Sequence, residues 1–494
     1  MSYERIARFL GRQVDGSTLG TFRILWGLLM FWESVRRLPK ATGVYSPEYF
    51  HFKYALFPFA EPLPEEWMVL VEVCVLAASA LCIALGWLFR PASLLFALIY
   101  AHLFLVEKLY YNNHFYLTIL LTFLLAFCQA DRCYSIRSWR ARERRVDTVP
   151  FWNLALLRGQ MVVPYFFGGI AKLNEDWLMG EPVRFWFRHK DVPPPVGWFV
   201  GEEWFVWFVS YGGLVLDLSA GFLLLHRKTF WPTAAALVVF HLTNDQLFRI
   251  GLFPYIGIAT LVIFMDPTLP RRLFRWIGAR LPRWRPTTPR LRSAGAGPAP
   301  TAAVVLVFAW LGFQVLWPWR ILFYGDDPSW TEVGHCFSWR MMLRTKDAWV
   351  QFVFDPPEAE RLLEQSDQLP RIGLAHLERM VKTPHFILQY AHELDRTLTR
   401  LGMPDVEIRV LSAVSLNGRP YQAMIDPTVD LTEASYGFFE VPDWILPLEK
   451  NRRAGQYPTT EVARAQRIND ALAAVGAPRA FAIGRPGAVS SGPP

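Results

Sequence analysis

The chain has 494 residues, of which 52% are hydrophobic and 15% aromatic, while only 19% are charged. This composition is too apolar for an ordinary soluble protein and indicates an integral membrane protein. The formal net charge of +8 does not require a nucleic acid partner, because the basic residues flank apolar stretches, where anionic lipid headgroups would lie.

Apolar stretches long enough to cross a bilayer as helices, about 20 residues each, occur about nine times along the chain. They lie at roughly 19–37, 67–89, 91–107, 114–130, 151–172, 204–225, 231–249, 251–266 and 301–317. The predicted fold is a polytopic all-α membrane domain of about nine transmembrane helices, followed by a small extracytoplasmic α+β domain rich in strands. The predicted domains are 1–318, 319–450 and, as a C-terminal helix and disordered tail, 451–494.

Basic residues concentrate in the loops of one side: before the first predicted span and after the fourth, sixth and eighth. The positive-inside rule therefore predicts a cytoplasmic N-terminus and an extracytoplasmic C-terminal domain in a multi-pass protein. The first apolar stretch has no cleavage signal and is interpreted as an uncleaved anchor. Residues 282–300, rich in Arg, Pro, Gly and Ala, are predicted to form a flexible cytoplasmic linker.

In the external domain, the sequence pattern predicts two hairpins and one helix. The first hairpin would pair 337–343 with 349–354, and the second would pair 406–414 with 421–425 around Asn417-Gly418. Between them, Thr383 is a candidate N-cap for an amphipathic helix that ends at Gly402.

Polar residues from three predicted spans fall at the same outer depth. They are Lys172 at the end of the fifth span, Asn113 and His114 at the start of the fourth, and His241, Asn244 and Gln246 in the outer half of the seventh. We expect these side chains to converge on one outer pocket.

Each of these residues also has a structural interpretation. Lys172 could extend to water at the interface, His114 could face water, and the polar residues of the seventh span could hydrogen-bond neighbouring helices. Asp217 in the sixth span is expected to pair with a basic group such as Arg158 in a structural role.

Several long motifs resemble the vitamin K-dependent gamma-glutamyl carboxylases, which carry an HTTM membrane domain. They lie at 112–114, 149–160, 165–177, 211–222, 240–253, 337–342, 414–417 and 425–430. The resemblance covers roughly residues 15–450 and extends into the external domain, which a shared membrane fold alone would not explain.

The resemblance implies a carboxylase coupled to epoxidation of a reduced naphthoquinone. In that family a lysine deprotonates the quinol, oxygen adds, and the strong base so formed removes a γ-hydrogen from a peptide glutamate, whose carbanion captures carbon dioxide. The implied co-substrates are reduced vitamin K or a menaquinol-type naphthohydroquinone, O2 and CO2, with no metal. The implied partners are the lipid bilayer and a glutamate-containing peptide or protein, with no nucleic acid.

By similarity, Lys172 would be the base, and His114 with Asn113 would serve the pocket and the carboxylation step. Trp339, Met341 and Met342 match the segment that faces the peptide. The quinone pocket or its motifs would include Tyr165, Gly168, Gly169, His241, Asn244 and Gln246. Burial against Tyr165 and its aromatic neighbours would favour an amine that can accept a proton, and the two glycines would leave space for a flat ring.

The chain departs from the animal enzymes at Ala171, at His392 and in the middle of 330–337, and it ends soon after Lys450. These differences, with the lack of an Asn-x-Ser/Thr sequon, favour a bacterial member in a cell membrane. Two alternatives stay open: a quinol epoxidase that has lost carboxylation, and a non-catalytic membrane protein that binds a quinone.

Overall fold

The computed structural model describes residues 2–141, 146–188, 192–248, 250–280, 293–295, 297–450, 455, 457–458, 460–483 and 489–490. Its N-terminal part is helical apart from one short antiparallel ribbon, β1 (Gln13–Asp15) with β2 (Thr148–Pro150). The helices are α1 (Tyr3–Gly11), α2 (Ser17–Ala41), α3 (Glu66–Leu85), α4 (Phe89–Val106), α5 (Asn113–Phe127), α6 (Ile136–Arg140), α7 (Trp152–Lys172), α8 (Glu175–Leu178), α9 (Val183–Arg188), α10 (Glu203–Leu225), α11 (Phe230–Phe248), α12 (Phe253–Phe264), α13 (Leu269–Arg280) and α14 (Thr301–Leu316).

All nine predicted spans coincide with helices, but nine membrane crossings are not confirmed. Within the described residues, five helical segments are long and apolar enough to cross: α3, α4, α7, α10 and α14 with the turn that follows it. A sixth is possible if α12 and α13, which are bent by 98° relative to each other, count as one broken span. Helix α5 is short, and α2 carries the buried charges Arg23, Glu33 and Arg37.

Small residues let the helices approach closely. A Cβ at Gly27 of α2 would lie 2.4 Å from the backbone nitrogen of Ala84 on α3, and one at Gly169 of α7 would lie 2.7 Å from the backbone nitrogen of Leu218 on α10. Both contacts are possible only without a side chain. The first pins α2 to α3, and the second sets the relative position of α7 and α10.

The external part contains α15 (Pro328–Thr331), β3 (Lys346–Asp355), α16 (Glu358–Gln365), α17 (Leu374–Met380), α18 (Pro384–Arg400), β4 (Glu407–Leu416) and α19 (Glu461–Ala473). A further two-stranded ribbon joins β5 (Ala482–Ile483) to β6 (Val489–Ser490). Strands β3 and β4 form a long antiparallel pair in which Lys346 lies opposite Leu416 and Asp355 opposite Glu407. Apolar residues of β4, α16 and α18 share one buried core.

The predicted strand pairing was wrong, although the strand positions were nearly right. Segments 349–354 and 406–414 are strands, but they pair with each other, although α18 separates them in the sequence. Residues 337–343 form no strand, since Phe337, Trp339 and Met342 adopt left-handed backbone angles. The second predicted hairpin is reduced to one bridge, between Val414 and Gln422.

The predicted helix from Thr383 to Gly402 corresponds to α18. Of the predicted linker 282–300, residues 282–292 and 296 lie outside the described residues, as do 484–488 and 491–494 of the predicted tail.

Candidate functional site

A cavity of about 590 Å³ lies where the membrane helices meet the external part. Helices α5, α7, α10 and α11 line one side, and residues of the segments 332–346 and 379–386 line the other. Its walls are mostly apolar and aromatic, with a few charged groups. A volume of this size is typical of sites for small organic ligands.

Lys172 lies on this wall and is 5% exposed, so its side chain does not extend into water. Its Nζ donates a hydrogen bond to Asp217 Oδ2 at 2.7 Å and another to the carbonyl of Gly168 at 3.3 Å. The same Nζ lies 5.0 Å from the ring centroid of Trp177. The amino group of Lys172 therefore has one carboxylate partner inside an otherwise apolar surrounding.

The expected pairing of Asp217 with Arg158 was wrong because of helix register. The antiparallel packing of α7 and α10 brings Asp217 beside Gly168, near the outer end of α7. Arg158 lies almost three turns before Gly168 on α7, where its guanidinium donates to the carbonyls of Ile263 and Met265.

Tyr165 and His241 form a second polar pair on the cavity wall. The Tyr165 hydroxyl lies 3.1 Å from His241 Nε2, and His241 Nδ1 has no hydrogen-bond partner although the residue is only 1% exposed. The imidazole packs against Gly257 of α12, where a Cβ would come within 2.3 Å of Nε2. An unpartnered buried nitrogen is costly, and a ligand hydroxyl or carbonyl would satisfy it.

Asn113 connects α5 to the external segment. Its Nδ2 donates to the carbonyl of Arg340 at 2.8 Å, and its Oδ1 accepts from the Tyr111 hydroxyl at 2.9 Å. That hydroxyl in turn accepts from the backbone NH of Phe337 at 2.7 Å. His114, the next residue, packs its ring against Phe115 and Phe253.

The segment predicted to face a peptide forms the outer wall of the cavity. Trp339 is 1% exposed and its ring lies 5.0 Å from that of Tyr116, whereas Met342 is 41% exposed. The Met341 methyl lies within 2.9 Å of a Cβ position at Gly168. Trp339 and Met342 have left-handed backbone angles, which residues with large side chains rarely adopt. Backbone strain of this kind clusters at functional sites.

The structure brings most of the predicted site residues to this one cavity, and three lie elsewhere. The lining includes Asn113, His114, Tyr165, Lys172, His241, Asn244, Trp339, Met341 and Met342. Gln246 is not among the described lining residues. Gly168 and Gly169 also lie outside the lining and contact Met341 and α10 instead of leaving space for a ring.

Sequence reasoning missed the charged groups of the external wall. These are Lys108, Glu332, Arg340, Arg344, Lys346, Arg379 and Lys382. Glu332 binds both Arg344 Nη2, at 2.5 Å, and Lys346 Nζ, at 2.8 Å. Six basic residues thus face one carboxylate among the described residues of this wall, and that carboxylate is already shared by two of them. The only signal in the sequence for this basic wall is the density of basic residues at 340–346. Such residues are equally expected in a solvent-exposed turn.

Burial controls the protonation of the neutral groups nearby. Burial, followed by the Arg344 cation, holds the pKa of His335 well below its usual range, and burial raises the pKa of the Cys336 thiol. Both groups are therefore uncharged at neutral pH. His335 therefore adds no positive charge to the wall, and Cys336 adds no negative charge.

Comparison with known families gives two matches. Residues 11–268 match the family model described as the HTTM domain, and residues 299–451 match the one described as the vitamin K-dependent gamma-carboxylase, lumenal domain. No solved structure matches the chain. The cavity lies between the two matched regions and takes residues from both.

Proposed function

The chain belongs to the HTTM-domain family of vitamin K-dependent gamma-carboxylases, and from that premise we propose that it carboxylates glutamate in peptides outside the cytoplasm. The proposed reaction consumes a naphthoquinol, O2 and CO2 and releases the quinol as its epoxide. The observation that carries the proposal is Lys172, buried with Asp217 in a cavity that the external segment covers.

Lys172 is the proposed base. As a free amine it would take a hydroxyl proton from the quinol, and Asp217, at 2.7 Å, would stabilise the ammonium that results. A carboxylate placed where positive charge develops favours this step, because little water reaches the pair to screen it. Asp217 would also hold the Nζ group in one orientation.

The remaining wall residues would position the reactants. His241 Nδ1 offers a hydrogen bond to an oxygen of the quinol, with Tyr165 fixing the ring from the other side. When bound, the quinol supplies the reducing electrons and, with oxygen, the strong base that removes the γ-hydrogen. His114 and Asn113, next to the peptide-facing segment, would serve the carboxylation step, and Trp339 with Met341 and Met342 would contact the peptide.

The proposal is supported by the supply routes of the reactants. Quinol, O2 and CO2 are apolar and reach the cavity from the lipid, whereas a peptide arrives from the external water phase. A cavity between the membrane helices and the external part can receive both.

The decisive experiment incubates the purified protein with reduced vitamin K, O2, labelled bicarbonate and a glutamate peptide. We expect label in the peptide and quinone epoxide in comparable amounts. The absence of both products would reject the proposal.

A second candidate is a quinol epoxidase without carboxylation. It is favoured by the position of Glu332, His335 and Cys336, which lie in the stretch that differs from the animal enzymes and form part of the cavity wall. Epoxide without carboxylated peptide would select this alternative.

A further inference from the structure

Besides Lys172, two buried lysines line the cavity: Lys346, which pairs with Glu332, and Lys108. Lys108, between α4 and α5, is 9% exposed and forms no ion pair with any carboxylate in the described part of the chain. Its Nζ lies 5.3 Å from the ring centroid of Phe386 and 5.8 Å from that of Tyr436. Among the described residues, its one side-chain hydrogen-bond partner is His385 Nδ1, at 2.9 Å.

A chain of hydrogen bonds determines which atom donates in this contact. The backbone NH of Lys53 donates to Gln389 Oε1 at 2.7 Å, and Gln389 Nε2 donates to the carbonyl of Lys53 at 2.9 Å. The amide of Gln389 is thereby fixed, and its second N–H faces His385 Nε2 at 2.9 Å. His385 Nε2 must therefore accept a hydrogen bond.

A neutral imidazole carries one N–H and one acceptor nitrogen. Since His385 Nε2 accepts, Nδ1 carries the proton and donates, so Lys108 Nζ is the acceptor. Only a neutral amine has the lone pair that this requires. Burial supports the same assignment, since it lowers the pKa of Lys108 and holds the pKa of His385 well below its usual range.

The surroundings of Lys108 suit an anion that would form at its amine. The other basic residues of the external wall are Arg340, Arg344, Lys346, Arg379 and Lys382. Glu332, the single carboxylate of that wall among the described residues, is already shared by Arg344 and Lys346. Arg344 acts electrostatically on Lys108, so a new negative charge at this amine would have a cation nearby.

We propose that Lys108 binds CO2 covalently as a carbamate. The amine lone pair attacks the carbon, a C–N bond forms, and one C=O electron pair moves onto oxygen to give the carboxylate. The nitrogen then loses one proton to water at the external opening, and no oxidant or reductant is involved. His385 Nδ1–H, which donates to the amine beforehand, donates to a carbamate oxygen afterwards.

This inference rests on the proposed function in one respect, namely that CO2 is the gas consumed in this cavity. Reversal of the same step would release CO2 inside the cavity where the peptide carbanion forms. A neutral lysine would thus raise the local supply of a weakly soluble, apolar co-substrate.

The test traps the carbamate on the intact full-length protein. Purified protein is equilibrated with ¹³C-bicarbonate, treated with triethyloxonium to convert carbamate into a stable ethyl ester, and mapped by peptide mass spectrometry. We expect the labelled adduct on Lys108 and none on Lys53, a lysine of the same region whose ammonium pairs with Glu61. Absence of the adduct from Lys108 in the wild-type protein would overturn the proposal.

Gln389→Glu provides a variant that keeps Lys108 in place. A carboxylate at this position would accept from His385 Nε2, so Nδ1 would become an acceptor and Lys108 would become an ammonium, which cannot attack CO2. We expect loss of the adduct in Gln389→Glu and its retention in Gln351→Glu, the same change at an exposed position of β3. Retention of the adduct in Gln389→Glu would contradict the argument from hydrogen bonding.

Trapping uses no quinol, oxygen or peptide, so its outcome is separate from that of the carboxylation assay. An adduct without carboxylated peptide would leave the carbamate standing and reject the proposed function. Carboxylated peptide without an adduct would do the reverse.

Discussion

Lys172 and Asp217 form a buried pair whose two members have unequal roles in the proposed chemistry. The amine does the proton transfer, whereas the carboxylate stabilises the charge that the transfer creates. Removing either partner would leave an uncompensated charge in the interior, at a cost of about 3–5 kcal/mol. A single substitution would therefore mix a loss of chemistry with a loss of stability.

The double variant Lys172→Met with Asp217→Leu separates the two effects. Because both charges leave together, we expect a thermal midpoint near that of the wild type and no epoxide or carboxylated peptide. The single variant Lys172→Ala should lose both products and also unfold at lower temperature. Retained epoxide formation in the folded double variant would show that this pair is not the base.

His114→Ala should reduce carboxylation more than epoxidation. The ring lies beside the residue that anchors the peptide-facing segment, so its loss acts after the quinol step. We expect the ratio of carboxylated peptide to epoxide to fall by about a hundredfold or more, in the range of a lost acid–base group. His226→Ala, at an exposed position after α10, is the control. Equal loss of both products in His114→Ala would refute this division of labour.

At the scale of elements, the packing of α11 against α12 holds His241 in place. Gly257→Ala would put a methyl group within 2.3 Å of the imidazole, so the ring must leave its position beside Tyr165. We expect a higher KM for the quinol and slower epoxidation. Gly212→Ala on α10, where a methyl group meets nothing within 4 Å, should leave both constants unchanged. Unchanged kinetics in Gly257→Ala would exclude a role for His241 in quinol binding.

A buried ion pair joins α8, the short helix that follows α7, to the external part. Arg419 binds Asp176 through two hydrogen bonds of 2.5 and 2.6 Å, and Asn417 donates to the same carboxylate. Arg419→Met would leave Asp176 buried without its cation, and we expect a loss of about 3–5 kcal/mol in stability.

The thermal midpoint in detergent measures this loss. Arg409→Ala, which removes an exposed pair with Glu407 on β4, is the control and should cause no measurable change. A midpoint in Arg419→Met equal to that of the wild type would show that the pair does not hold the two parts together.

The sequence predicted the helices and strands better than their partners. The length of the apolar stretch identifies α7, and the periodicity of apolar residues identifies α18, because both signals lie within a single helix. The pairing of β3 with β4 depends on contacts across α18, and turn residues near 344–348 favoured a local hairpin instead. Residues 337–343 have strand-like composition, but Phe337, Trp339 and Met342 adopt left-handed angles, and the segment is hydrogen-bonded to Tyr111 and Asn113 instead of to a neighbouring strand.

The polar residues of the cavity were predictable where they sit inside apolar stretches, since Lys172 and His241 are conspicuous there. The sequence of one helix does not determine its register against another helix. The partner of Asp217 was therefore predicted to be Arg158, several turns away from its actual partner Lys172. Lys108 and Arg344 were missed because basic residues in loops resemble ordinary solvated charges. Lys108 is buried and Arg344 is partly buried, and both line the cavity between the membrane helices and the external part.

For the molecule as a whole, the orientation in the membrane can be tested by cysteine labelling in intact cells. We expect a membrane-impermeant maleimide to label Gln368→Cys, an exposed position of the external part, without permeabilisation. Ser2→Cys, exposed before α1, should be labelled only after permeabilisation, and the unsubstituted protein corrects for the natural cysteines. The opposite pattern would invert the predicted topology.

The hydrogen bonds that join Asn113 and Tyr111 to the 337–340 segment mean that the membrane helices do not enclose the cavity alone. The external part forms one wall of the cavity, and it is hydrogen-bonded to Asn113, the residue next to His114. A shortened protein that kept only the helices would therefore expose Lys172 to water from the external side. Loss of either half of the chain would therefore abolish the proposed reaction.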